Sequence, residues 1–167
     1  SLLAFVCTLE AFLIAVPFWY GDQIAFWVLQ QQSQPVATFL AQVWNWFQVG
    51  AFVIFPAALV AGFQFPLLIA IAGTGKEHVG KHVGWTFAAN TLGAISGSIA
   101  GGFFLLPVLT APGLWKLSIC LLLILGLTLL LVGQRWKSVS LATSVVLSLA
   151  TIFMILETTG PTAVWRH

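Results

Sequence analysis

Five apolar runs separated by short polar connections dominate this sequence, at roughly 1–19, 49–72, 84–106, 114–132 and 139–156. An α-helix needs about 20 mostly apolar residues to cross the hydrocarbon of a bilayer, and each run comes close to that length. Charge is correspondingly scarce: six basic and four acidic residues stand among 167, and 60% of the chain is hydrophobic. A soluble domain carries about 25% charged residues, because a hydrated surface needs them. With 6% charged residues, most of the outer surface must face something other than water. The pattern predicts an all-α fold, a polytopic transmembrane helical bundle of about five spans whose partner is the lipid bilayer. Helices satisfy their own backbone polar groups, which hydrocarbon cannot do for them.

The connections sharpen the partition. A first span over 1–19 ends at Pro17-Phe18-Trp19-Tyr20-Gly21-Asp22, and apolar residues within the Gln-rich passage that follows suggest an interfacial helix at 23–32. The next stretch, 36–72, exceeds one ordinary span. Trp44, Asn45, Trp46 and Gln48 suit the headgroup region, leaving 49–72 as the buried part. Pro56 and Pro66 each remove a helical hydrogen bond, so a kink is expected near Gly62–Pro66, with a re-entrant pair of half-helices as the alternative. The third span is expected to stop at Pro107, and Pro112-Gly113 to form the turn before the fourth. All eight tryptophans fall at or beyond proposed helix ends, where an indole can keep its ring in lipid and its N–H in water. The first run has no basic n-region and no small-residue cleavage site, so it is not expected to be a signal peptide. The opening on Ser1 and the polar exit at 158–167 suggest a portion of a longer protein, with 158–167 as the link to a soluble domain.

Basic residues in short loops favour the cytoplasmic side. Lys76, Lys81, Arg135 and Lys137 flank connections on one side, against Lys116 and Arg166 on the other. Loops 73–83 and 133–138 are therefore expected in the cytoplasm, and the C-terminal end outside. A net charge of +2, spread over connections, gives no reason to expect nucleic acid. Cys7 and Cys120 lie in apolar runs and read as small fillers.

Few residues bear chemistry. In the third span Gly93, Gly97 and Gly101 recur every four residues, with Ala94, Ser98 and Gly102 alongside. In lipid such a groove lets helix backbones approach, so it is expected to pack against another helix of the chain, or against a second copy as a homodimer seam. Asn90 and Thr91 lie one turn earlier, and a buried Asn90 needs a partner across the bundle, for which Gln64 is the candidate. Glu10 is the one carboxylate well inside a span, which raises proton or cation binding by default. Glu10, Gln64, Asn90 and Thr91 together form a candidate polar path. His78 and His82 are four apart, yet two imidazoles fall short of a zinc site, and no metal is expected. Gly73-Thr74-Gly75-Lys76 lacks the earlier glycine and the following Ser or Thr of a phosphate-binding loop. No cofactor is expected in this chain.

Two segments carry a resemblance. Phe55-Pro56-Ala57-Ala58-Leu59-Val60-Ala61-Gly62-Phe63-Gln64-Phe65-Pro66-Leu67 resembles a proline-to-GxxFPL segment, and Val83–Gly97 resembles a GxxYAxNTxGAxxG helix, with Phe87 where that pattern has Tyr. Gly102-Phe103-Phe104-Leu105-Leu106-Pro107 resembles the end of the same helix. These patterns are similar to the membrane, major facilitator-like region of spermidine synthase-like fusion proteins, and the match covers roughly residues 55–107. The resemblance implies a partial major facilitator-like bundle in the bacterial inner membrane. It would anchor a downstream soluble transferase domain of polyamine biosynthesis, and could move a polyamine or related small molecule. Aminopropyl transfer from decarboxylated S-adenosylmethionine would belong to that soluble domain. None of the family's catalytic positions has a counterpart here, so no catalytic residue is carried over. A stand-alone segment of a secondary transporter and a structural helix-packing module are the alternatives.

Overall fold

The computed structural model describes residues 2–32, 38–72, 79–132 and 138–158, and every described element is helical. The order is α1 (Leu2–Trp19), α2 (Gly21–Gln32), α3 (Phe39–Ala72), α4 (Val79–Ile99), a π-helical segment (Ala100–Leu105), α5 (Leu106–Val132) and α6 (Ser138–Glu157). Three stretches are long and apolar enough to cross a membrane: Leu2–Trp19, Phe39–Ile71 and Gly80–Val132. Leu141–Glu157 is apolar but shorter. Most of the connections 73–83 and 133–138, His78, and all of the 158–167 exit but Thr158 lie outside the described residues.

The hub is α1, which packs against α3, α5 and α6, whereas α4 rests on α3 alone before running into the π segment. Its sequence explains this role. Ala4, Thr8, Ala11 and Ala15 fall at helical spacing on one stripe, and each is 1% exposed or less. Small side chains on one stripe let neighbouring helices approach closely. Against that stripe α5 sets Ile119, Leu123, Gly126 and Leu130, again at intervals of three and four, while α6 contributes buried Ser144, Ser148 and Thr151. Ala11, Ala15, Ile119 and Leu123 form the core cluster, flanked by Ile14, Trp115, Leu122, Met154 and Ile155.

Specific contacts set the directions. Ile14 accepts a hydrogen bond from the Trp115 indole at 3.1 Å, and Thr8 and Ala4 lie against Gly126, so α5 runs antiparallel to α1. Trp19 meets Phe153 at 5.7 Å between ring centroids, and Lys116 Nζ donates to the Thr158 carbonyl at 2.8 Å. These contacts bring the C-terminal ends of α1 and α6 together beside the start of the long arm of α5. Lys116 also stands 5.6 Å from the Phe18 ring centroid, a distance suited to cation–π attraction.

Two expectations at the prolines are not met, the half-helix alternative for 36–72 and the stop at Pro107. Pro56 and Pro66 lie inside α3, which continues as one helix of 34 residues, so the re-entrant pair of half-helices does not form. Each proline removes one intrahelical bond, to the carbonyls of Phe52 and Gly62, while apolar residues on both sides sustain the helix. The helix also passes through Pro107. Just before it the backbone widens into the π segment, where the Leu106 N–H reaches the Gly101 carbonyl five residues back. A wider turn eases the clash a proline ring makes with the preceding turn.

The interruption lies at Thr110, with φ 62° and ψ 171°, rather than at Pro107 or at Pro112-Gly113. Pro112 has no N–H to offer Val108, which weakens this turn, and the non-helical angles fall two residues before it. Gly113 closes the bend: a Cβ on it would stand 3.1 Å from that of Leu109. Unbroken, the 53 residues of Gly80–Val132 would extend about 80 Å at 1.5 Å per residue. That is far more than the ~30 Å of bilayer hydrocarbon.

Candidate functional site

Glu10 lies mid-way along α1 and is only 9% exposed. Its Oε2 accepts a hydrogen bond from Nε2 of Gln64 on α3. Helical spacing produces this meeting. On α1, Glu10, Ile14 and Pro17 share a stripe, and on α3, Val53, Ala57, Ala61 and Gln64 share another. Since Glu10 meets Gln64 while Pro17 and Val53 line one cavity, the two stripes face each other in opposite directions.

Three alanines on α3 keep the facing helices from filling the space between them. The resulting cleft holds about 290 Å³ and is lined by Glu10, Ile14, Val53, Ile54, Ala57, Ala58, Ala61 and Trp115. A second cavity of about 400 Å³ adjoins it, sharing Val53 and Trp115; its other walls include Pro17, Phe18, Ile24, Val28 and Trp46. Trp115 therefore stands between the two, its N–H tied to the Ile14 carbonyl and its ring tilted against Phe18 at 6.0 Å. Among the described residues lining these cavities Glu10 alone is ionisable. Chemically the arrangement offers one carboxyl group at the end of an apolar passage between α1 and α3.

Of the candidate polar path, the fold unites Glu10 and Gln64 and leaves Asn90 and Thr91 apart. Gln64 was expected to face Asn90 but bonds Glu10, because its position on α3 belongs to the stripe facing α1. Asn90 is exposed on α4, and the Thr91 hydroxyl donates to the Phe87 carbonyl of its own helix at 3.0 Å. Contact between α3 and α4 runs instead through Phe65 and Phe87, edge-on at 4.7 Å. The two segments that carry the family resemblance thus touch through apolar rings.

Among the described residues, nothing fills the glycine groove. A Cβ added at Gly93, Gly97, Gly101 or Gly102 would meet nothing within 4 Å, and Ala94 and Ser98 are exposed. The close backbone approach occurs at Gly126, against α1. Small residues permit approach on any helix that carries them, and α1 also has three neighbours to receive its stripe. Sequence reasoning overlooked the alanines of α1 and α3 and the Ser144-Ser148-Thr151 stripe. Their signal, small residues at intervals of three and four, was present but lacked glycine. Trp115, read from sequence only as an end marker, was missed as a wall of the site.

No family model, curated protein or solved structure matches this chain.

Proposed function

We propose that this chain is an integral membrane domain, the membrane region of a spermidine synthase-like fusion that anchors a soluble transferase domain at the inner membrane of a bacterium. The observation that carries membrane residence is the apolar outer surface. Phe39, Phe103 and Leu131 are 80%, 77% and 87% exposed, and they belong to long faces of similar residues on α3, the π segment and α5. Monomeric soluble proteins rarely leave contiguous apolar patches beyond a few hundred Å² in water. Lipid covers such faces without cost. In this reading the chain crosses about five times, with the Thr110 bend separating the third and fourth spans and α2 lying in the interface. The helix ends bordering 73–78 and 133–137 both lie toward the N-terminal end of α1, which suits their assignment to one cytoplasmic side.

The fusion itself rests on the two sequence patterns on α3 and α4. Alkaline carbonate washing of membranes tests the first part: the chain is expected in the pellet, and release into the supernatant would overturn it. Sequencing the gene beyond His167 tests the second, where lack of a glycine-rich methyltransferase-like pattern would remove the fusion. Cysteine labelling of 73–83 and 133–138 from each side tests the orientation. A second reading, a segment of a secondary transporter, is favoured by the Glu10–Gln64 pair at the mouth of a cleft. Cation uptake by reconstituted vesicles that is unchanged in Glu10→Gln would sink it.

A further inference from the structure

We infer that the α1–α3 cleft binds a monovalent amine bearing an apolar tail, with the ammonium on Glu10 and the tail passing Trp115 into the larger cavity. The inference rests on the chain being a membrane domain.

The head position follows from charge. A buried carboxyl either keeps its proton or, when ionised, pairs with a cation, since an unpaired charge in an apolar setting is expensive. Gln64 supplies one donor to Oε2, and among the described residues no basic side chain pairs with Glu10. Lys116 is engaged with the Thr158 carbonyl and the Phe18 ring and lines neither cavity. An incoming ammonium supplies the cation that an ionised Glu10 would need.

The tail follows from the walls. Beyond Glu10 the passage meets Ile14, Val53 and Ala57, then Phe18, Ile24 and Trp46. From Glu10 to Phe18 is eight positions on one helix, about 12 Å of rise. That stretch suits a medium-length alkyl chain, and its aromatic and aliphatic surfaces reward apolar contact. A second positive charge on the ligand would enter this passage with no counter-ion, so a free polyamine is disfavoured at this site. A neutral alcohol would leave the carboxyl without a cation.

The test uses the chain in phosphatidylcholine nanodiscs, with tritiated octylamine as probe and empty nanodiscs subtracted. Saturable binding of one octylamine per chain is expected. Glu10→Gln is expected to weaken it by about tenfold or more, and Glu10→Asp, which keeps the charge, by less. Val53→Trp, which fills the junction of the cavities and leaves Glu10 in place, is expected to abolish binding. Octanol and spermidine at equal concentration should not displace the amine. Unaltered helical circular dichroism in Glu10→Gln and Val53→Trp shows that folding is retained; should Glu10→Gln lose it, Glu10→Asp and the competition arms decide. Absence of saturable binding, equal binding by Glu10→Gln, or displacement by octanol or spermidine would each overturn the assignment. Release of the chain by carbonate would instead overturn membrane residence, so the two failures are distinguishable.

Discussion

The methyl group of Thr8 occupies the space that a side chain on Gly126 would need: a Cβ built there would lie 2.7 Å from Thr8 Cγ2. The Ala4 carbonyl and the Thr8 backbone nitrogen lie farther off, at 3.6 and 3.4 Å, within ordinary contact. One methyl therefore controls how closely α5 approaches α1. Gly126→Ala is expected to destabilise the fold by about 1–3 kcal/mol, the usual range for overpacking. Thr8→Ser removes that methyl, so the double variant should recover much of the loss. A double-mutant cycle of thermal unfolding in detergent measures the coupling, and simple additivity would contradict this account.

The Ser144 side chain is fully buried on α6, and its hydroxyl has no hydrogen-bond partner among the described residues. Ser148 and Thr151 do bond back to carbonyls of their own helix, at 2.8 and 2.7 Å. A buried polar group left unpaired costs about 1–3 kcal/mol. Ser144→Ala should therefore raise the melting temperature, while Thr151→Ala, which removes a satisfied hydroxyl, should not.

Thr110 holds a positive φ of 62°, a conformation that β-branched residues rarely adopt. Strain of this kind costs of the order of 1–3 kcal/mol. Glycine adopts it freely. Thr110→Gly is expected to stabilise the chain by about 1 kcal/mol in chemical unfolding. A marked loss would show that the threonine side chain contributes more than its backbone strain costs.

Glu10 and Gln64 are unequal partners. Gln64→Leu leaves a buried carboxyl without its donor, at about 1–3 kcal/mol. Glu10→Gln keeps an acceptor for the Gln64 amide and should cost less. Unfolding midpoints of the two variants measured side by side check the order, and the reverse order would count against the pairing.

Among the described residues, nothing lies within 4 Å of a Cβ at Gly97. Gly97→Leu should therefore change the stability of the isolated chain by no more than about 0.5 kcal/mol, as at open surface positions. A collapse of folding would mean that the groove is covered, as a helix-packing module requires.

The helical class and the long apolar stretches were legible in the residues, and so was the presence of Glu10 and Gln64 as polar groups within apolar runs. Hydrophobicity and side-chain type are local properties, and run length alone distinguishes a stretch able to cross lipid from one that cannot. The interruption near Pro112 was also legible, though not its position at Thr110. Proline withdraws a donor and restricts its predecessor, while the residue that takes up the bend depends on how Leu109 and Gly113 close against each other. Only the tertiary structure decided which polar groups meet. Gln64 could have faced Asn90 or Glu10, and the rotation of α3 about its axis, set by its packing on α1, turned it to Glu10. It likewise decided which small-residue stripe is buried. Gly93–Gly102 has the stronger pattern, yet a close approach needs a complementary partner surface, and in this fold that surface surrounds Ala4, Thr8, Ala11 and Ala15.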